Sequence, residues 1–84
     1  MKFPYYLVQL NSRKLDNDKF KAGCSVSEHF SDRVHEILPR WELERKTFEN
    51  IDAANKAMQF NALQYLKREY GADAIERVKI IIGR

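Results

Sequence analysis

The chain has 84 residues, 44% hydrophobic and 32% charged, and it carries a formal net charge of +3. This length supports one modest hydrophobic core, so we expect a single small globular domain over residues 1–84. No stretch approaches the roughly 18–20 apolar residues of a transmembrane helix, and the single cysteine, Cys24, excludes an internal disulfide.

Residues 4–14 and 19–26 are predicted to form a β-hairpin. The first segment is rich in aromatic and branched side chains, as strands are. Asp16-Asn17-Asp18 indicates the turn, because Asx side chains cap local backbone groups and tolerate the left-handed conformation. From Phe20 to Val26 the apolar residues alternate at a period of two, which places them on one face. Basic residues therefore flank the hairpin tip: Arg13, Lys14, Lys19 and Lys21.

A first helix is predicted to begin near Ser25 and to end near Leu38. Ser25 and Glu28 have the spacing of a capping box. Pro39 lacks an amide proton and restricts the residue before it, so the helix should stop there. Four apolar residues recur on one helical face between these limits: Phe30, Val34, Ile37 and Leu38.

Residues 40–48 are predicted to form a strand with one solvent-exposed face, since Trp41 and Leu43 alternate with glutamates. A long helix should follow, capped by Asn50 or Asp52 and ended by Gly71 in the left-handed C′ position. Its apolar side is a continuous arc on a helical wheel: Ile51, Ala54, Met58, Ala62, Tyr65 and Leu66.

The chain closes with a β-branched run over residues 78–82, which predicts a buried strand. The elements then follow the order ββαβαβ. This order predicts an α+β fold in which a four-stranded mixed sheet carries two helices packed on one face. The strands before and after the long helix are expected to form a parallel pair with a right-handed crossover.

Residues of the types that support catalysis do not form a convincing site. Glu28, Asp32 and His35 would share one face of the predicted first helix, but an ordinary solvated helix face explains them better than a metal site. Cys24 falls on the apolar side of the hairpin, where a thiol behaves as a small hydrophobe. The sequence contains no phosphate-binding glycine loop. We therefore predict no enzyme activity, no metal and no cofactor.

The basic hairpin gives an alternative prediction, in which the protein binds nucleic acid as an accessory factor. Residues 1–27 carry five basic and two acidic side chains, so the whole net charge of +3 lies in the first third of the chain. A two-stranded ribbon fits a major groove, and cations on it would contact phosphates. Asp16 and Asp18 in the same tip weaken this interpretation.

Apolar residues without a place in the core favour protein–protein contacts. Phe60 lies opposite Ile51 on the wheel of the long helix, and Trp41 begins a half-exposed strand. The sheet face away from the helices is expected to carry part of Tyr5, Leu7, Phe48 and Ile81. Exposed aromatic patches are typical of interfaces.

We therefore predict a small non-enzymatic binding or regulatory module. Its partner is another protein or a second copy in a homodimer, and Trp41 and Phe60 are the predicted contact residues. The N-terminal apolar run lacks a signal-peptide cleavage pattern, and one cysteine fits a reducing compartment. Both features predict a cytoplasmic protein with no membrane association.

Overall fold

The computed structural model describes residues 3–83 and contains six strands and two helices. Lys2 and Arg84, which contribute to the charge count above, lie outside the described residues. The elements in chain order are β1 (Tyr5–Leu10), β2 (Arg13–Lys14), β3 (Phe20–Lys21), β4 (Gly23–His29), β5 (Val34–Glu42), α1 (Ile51–Tyr70), α2 (Ala72–Ile75) and β6 (Val78–Ile82).

The main sheet has four strands in the order β5-β4-β1-β6, while β2 and β3 form a separate two-stranded ribbon. β1 pairs antiparallel with β4 and parallel with β6, and β4 pairs antiparallel with β5. The helix α1 packs mainly on β4 and β1. The predicted α+β fold with a four-stranded mixed sheet is therefore confirmed.

The predicted N-terminal hairpin is present, with β1 and β2 in one arm and β3 and β4 in the other. Its turn uses the predicted Asx residues. Asp18 adopts the left-handed conformation with φ 64°, and the Asn17 side chain accepts a hydrogen bond from the Lys19 amide at 3.1 Å. The second arm continues to His29, beyond the predicted end at Val26.

The helix predicted between Ser25 and Leu38 is wrong, because these residues form most of β4 and β5. The two strands are joined by a turn over residues 30–33, closed by a hydrogen bond from the Phe30 amide to the Arg33 carbonyl at 2.8 Å. Ser31 and Asp32 are residue types that favour turns. The helical spacing of the apolar residues on either side led to the prediction of a helix instead. Pro39 lies inside β5 at an irregularity in the pairing with β4, and it is tolerated because β5 is an edge strand.

The predicted strand over residues 40–48 and its parallel pairing are also revised. Only its first residues belong to β5, and Phe48 forms an isolated bridge with Phe20. The parallel neighbour of β6 is β1, whereas β5 and β6 lie at opposite edges of the sheet. The observed order is therefore five strands, two helices and a final strand, not ββαβαβ.

The long helix is confirmed, and Asn50, one of the two predicted N-cap residues, takes that position. The Asn50 side chain accepts a hydrogen bond from the Ala53 amide at 2.8 Å. Gly71 ends the helix as predicted, and its positive φ of 94° favours glycine, but its ψ of 164° differs from the predicted left-handed conformation. Its amide donates to the Lys67 carbonyl at 3.0 Å. Both helix ends are thus satisfied by residues that the sequence indicates.

The core lies between α1 and one face of the sheet. Its buried apolar residues are Tyr6, Val8, Leu10, Ala22, Cys24, Val26, Ala54, Met58, Ala62, Leu66 and Ala74. Since side chains alternate along a strand, Tyr5 and Leu7 lie on the sheet face away from α1, and Ile81 lies there too, as predicted. Phe48 instead packs against the core. Within residues 3–83, neither helix has the length and apolarity needed to cross a membrane.

Candidate functional site

The four predicted nucleic-acid-binding cations lie together on the ribbon of β2 and β3, where Arg13 pairs with Lys21. Each of them also contacts an acceptor within the chain. Arg13 pairs with Glu42 at 2.9 Å, Lys14 with Asp18 at 3.4 Å and Lys19 with Glu49. The Lys21 ammonium donates to the Glu44 carbonyl at 3.2 Å. The positive charge of the ribbon is therefore largely compensated by neighbouring acidic groups.

The Glu42 carboxylate accepts more side-chain hydrogen bonds than the other acidic groups described beside this ribbon. It accepts hydrogen bonds from Arg13 at 2.9 and 3.4 Å and from Arg40 at 3.4 Å. The hydrogen bond from Arg13 is the main reason that the pKa of the Glu42 carboxyl lies below its ordinary value. A carboxylate held by two guanidinium groups stays ionised, which suits it to a structural link between β2 and β5.

Trp41, the first predicted interface residue, is half-buried beneath α1. Its ring lies 5.9 Å from the ring of Tyr65 and packs against the core. It also lines a shallow surface hollow of about 700 Å³ together with residues 42–46 and Asn61. One edge of the indole is therefore available to a partner, while the rest stabilises the fold.

Phe60, the second predicted interface residue, is 63% exposed on the outer surface of α1. It belongs to the helix side opposite the buried residues Met58 and Leu66. The two predicted interface residues thus belong to different surfaces. Their role in binding stays a prediction.

The residues considered as metal ligands or as a nucleophile do not come together in a site. Glu28 and His35 are cross-strand neighbours, with His35 Nδ1 3.7 Å from the carboxylate, while Asp32 lies in the turn. Among residues 3–83, no group of three or more His, Cys, Asp or Glu side chains could hold a metal ion. Cys24 is fully buried, and burial raises the pKa of its thiol to about 12. Such a thiol is a poor nucleophile.

A serine–histidine pair on the open sheet face was not predicted. Ser27 Oγ lies 2.9 Å from His29 Nε2, and the Tyr5 ring stacks on the imidazole at 4.8 Å. Residues two apart on a strand share a face, so this contact follows from strand geometry once β4 reaches His29. Nucleophilic catalysis also needs a group that orients the base, and the contacts of the described residues provide none.

The outer edge of β6 is an unpaired backbone edge of the main sheet, and the sequence analysis did not predict it. Among residues 3–83, β6 pairs with β1 alone. The Tyr6 amide donates to the Arg77 carbonyl at 2.9 Å, and the Gly83 amide donates to the Leu10 carbonyl at 2.6 Å. In a parallel strand, the backbone groups of every second residue bond to the same neighbouring strand. Arg77 and Gly83 bond to β1, so the backbone groups of the odd-numbered residues in this segment point toward β1. The amide and carbonyl groups of the even-numbered positions then face outward: Val78, Ile80 and Ile82.

The side chains of this edge are apolar. Ile82 is 69% exposed and Ile81 is 38% exposed. Lys79 is the only charged residue in β6. Since α1 packs mainly on β4 and β1, it covers the β6 border of the sheet only in part. Val78 and Ile80 pack against the core, whereas Ile82 stays exposed. An exposed apolar edge strand is a template for pairing with another strand.

The opposite edge of the sheet, formed by β5, has the features that prevent strand pairing. Pro39 provides no amide proton, and the register shifts beside it. Glu36 and Arg40 place charges along the strand, and Arg40 is paired with Glu42. The sheet therefore has one blocked edge and one open apolar edge. The sequence predicted residues 78–82 as a strand, but their edge position depends on pairing with β1, which is distant along the chain.

Comparisons with protein-family models, curated proteins and solved structures gave no match.

Proposed function

We propose that this protein is a non-enzymatic binding module that pairs a β-strand of a protein partner with the open edge of β6. One observation carries the proposal: the outward backbone groups of Val78, Ile80 and Ile82 coincide with an apolar, nearly uncharged edge. Strand addition at a sheet edge is a general mode of peptide recognition, in which backbone hydrogen bonds give affinity and alternate side chains give specificity.

The energetics of this edge favour pairing. Burial of an exposed isoleucine side chain contributes about 1.5–3 kcal/mol when complete, and Ile82 is the most exposed large apolar residue of the described chain. Backbone donors and acceptors at the edge exchange water for a partner strand with a small net gain per bond. Lys79 places a single charge on the face away from α1, so the pairing of the two backbones meets little electrostatic opposition.

The residues predicted from the sequence have secondary roles in this proposal. Phe60 offers a separate contact on the outer surface of α1, and Trp41 offers one at the hollow beside β5. The protein would regulate its partner if the partner's own fold or activity requires the strand that pairs with β6. The single free thiol of Cys24 supports a cytoplasmic site of action, because reducing compartments keep thiols unpaired.

Site-specific photocross-linking in the native cells tests the proposal. A photoreactive side chain replaces Ile82 at the edge or, as a matched control, the exposed Lys67 on α1. We expect protein adducts from position 82 and few from position 67. Combining the photoreactive residue at position 82 with Ile80→Pro should abolish the protein adducts. Proline removes the outward amide of residue 80 without breaking a hydrogen bond to β1. Position 82 giving no more adduct than position 67 contradicts the proposal.

A further inference from the structure

We infer that the strand captured by this edge is β6 of a second copy, so that two chains form a twofold dimer around one continuous eight-stranded sheet. The inference rests on the proposed function and names its partner. A twofold dimer uses the same patch on both subunits, so the patch must be complementary to itself. Strand polarity, side-chain chemistry and the blocked second edge each meet this requirement.

The direction of the backbone groups restricts which residues of the two β6 strands can lie opposite each other. In an antiparallel ladder, residues whose amide and carbonyl groups face each other exchange both hydrogen bonds. The outward residues of β6 are even-numbered, so an even-numbered residue must lie opposite an even-numbered one. The register that pairs all five residues places Ile80 opposite Ile80 of the second copy and Val78 opposite Ile82. Lys79 then lies opposite Ile81 in a pair without hydrogen bonds.

The side chains fit this register on both faces of the sheet. Val78, Ile80 and Ile82 share the face that carries α1, because they pair with Tyr6, Val8 and Leu10. Across the twofold axis they would form one apolar row that covers the exposed Ile82. On the other face, the aliphatic stem of Lys79 lies beside Ile81 while its ammonium group stays in water. The two lysines are diagonal neighbours, so like charges do not lie directly opposite each other.

The blocked edge explains why a second copy produces a closed dimer. After β6 pairs with β6, each end of the combined sheet is a β5 strand that contains Pro39 and the irregular register. A further copy finds no open edge, so the assembly stops at two chains. Five residues span about 16 Å, which is short for a protein interface. We therefore expect a reversible dimer that dissociates on dilution.

Light scattering of the purified chain over a concentration series gives the first test. The mass should rise from the 10.0 kDa of the monomer toward twice that value. Ile80→Pro and Ile82→Glu should each keep the mass at the monomer value, while circular dichroism reports an unchanged fold. Lys67→Glu is the matched control on the exposed surface of α1 and should leave the dimer intact. A dimer that survives both Ile80→Pro and Ile82→Glu overturns the inference.

Cysteine cross-linking tests the register independently. Residues directly opposite each other have Cα atoms about 4.5–5.5 Å apart, within the range of a disulfide, whereas diagonal neighbours lie about 7–8 Å apart. A mixture of Lys79→Cys and Ile81→Cys chains should therefore oxidise to a covalent dimer, while each variant alone should not. Cys24 does not interfere, because it is fully buried.

The outcomes separate this inference from the proposed function. A mass of 10.0 kDa at every concentration overturns the second copy as the partner. The proposed function then survives if position 82 still cross-links in cells to a protein of another mass. A covalent dimer from Ile81→Cys alone overturns the register. A dimer that Ile80→Pro abolishes, with cross-links only in the mixture, supports the inference in full.

Discussion

Arg13 and Glu42 connect the two-stranded ribbon to the end of β5, with the guanidinium Nε 2.9 Å from one carboxylate oxygen and Nη2 3.4 Å from the other. The residues are 29 positions apart in sequence. The pair gives the carboxylate the two-pronged geometry that arginine favours. It keeps the pKa of the Glu42 carboxyl below its ordinary value of 4.5.

This shift predicts the direction of an acid effect on stability. A carboxyl whose pKa is lower in the folded than in the unfolded chain stabilises the fold fully above the unfolded value of 4.5. The contribution is lost as the pH falls through the lower, folded pKa. We expect Glu42→Gln to lower the free energy of unfolding at pH 6 and to cost much less at pH 3. Urea unfolding at both pH values measures this difference.

The control for this experiment lies on the same strand. Glu36 is exposed, and no hydrogen bond or ion pair of its side chain occurs among the described residues. Glu36→Gln should leave the free energy of unfolding nearly unchanged at both pH values. An equal effect of the two substitutions would show that net charge, and not the contact with Arg13, sets the acid sensitivity.

Cys24 provides a prediction about accessibility. The thiolate is the reactive form, and burial raises the pKa of this thiol to about 12. We expect the native protein to react slowly with a disulfide reagent at pH 8 and the urea-unfolded protein to react fast. A Lys79→Cys variant supplies an exposed thiol as the positive control. Fast reaction of native Cys24 would show that the sheet opens readily above it.

Asn50 provides a prediction about helix capping. Its side chain satisfies the Ala53 amide at the start of α1. Loss of such a cap costs about 1 kcal/mol, so Asn50→Ala should lower the free energy of unfolding by that amount. Asn50→Asp keeps an acceptor and adds a favourable charge at the helix N-terminus. It should therefore be neutral or stabilising in the same urea titration, and a cost equal to that of alanine would contradict the capping role.

The accuracy of the sequence predictions follows from how local each signal is. The hairpin turn at Asp18, the Asn50 cap and the Gly71 terminus depend on residues close in sequence, and all three are present. The segment from Ser25 to Leu38 carried both helical spacing and a turn signal at Ser31-Asp32. Pairing of β4 with β1 decided between them, because tertiary context overrides weak local preference.

The candidate sites depend even more on distant residues. The cations of the ribbon were predicted to lie together, but compensation by Glu42 and Glu49 comes from 29 and 30 positions away. The open edge likewise arises because β6 pairs with β1, at the other end of the chain. A hydrophobic run such as Val78–Ile82 gives no information about which neighbours it has.

Met58 and Phe60 provide a comparison of buried and exposed positions on one helix. Met58 is fully buried, whereas Phe60 is 63% exposed. Met58→Ala should cost about 2–5 kcal/mol through lost contacts and a cavity, and Met58→Leu less than about 1.5 kcal/mol. Phe60→Ala should change stability by less than about 0.5 kcal/mol. Thermal and urea unfolding measure all three, and a large cost at Phe60 would show that it packs within the monomer.

The basic ribbon provides a final prediction, about nucleic acid. Arg13 and Lys19 already pair with Glu42 and Glu49, so few cations are available to phosphates. In fluorescence anisotropy with labelled duplex DNA and single-stranded RNA, we expect no appreciable binding at physiological salt. Binding through phosphates would instead weaken with salt, with a logarithmic slope of about −0.9 per contact on duplex DNA.

Two charge variants determine which interpretation holds. Removing both acidic partners with Glu42→Gln and Glu49→Gln frees the two cations and should produce salt-sensitive binding at low salt. Reversing the charges with Lys19→Glu and Lys21→Glu should leave the wild-type signal unchanged, since those lysines contribute little to it. If the wild type instead binds with a steep salt slope that the lysine reversals abolish, the alternative prediction of a nucleic-acid-binding ribbon is correct. Compensation by Glu42 and Glu49 would then be too weak to block phosphate contacts.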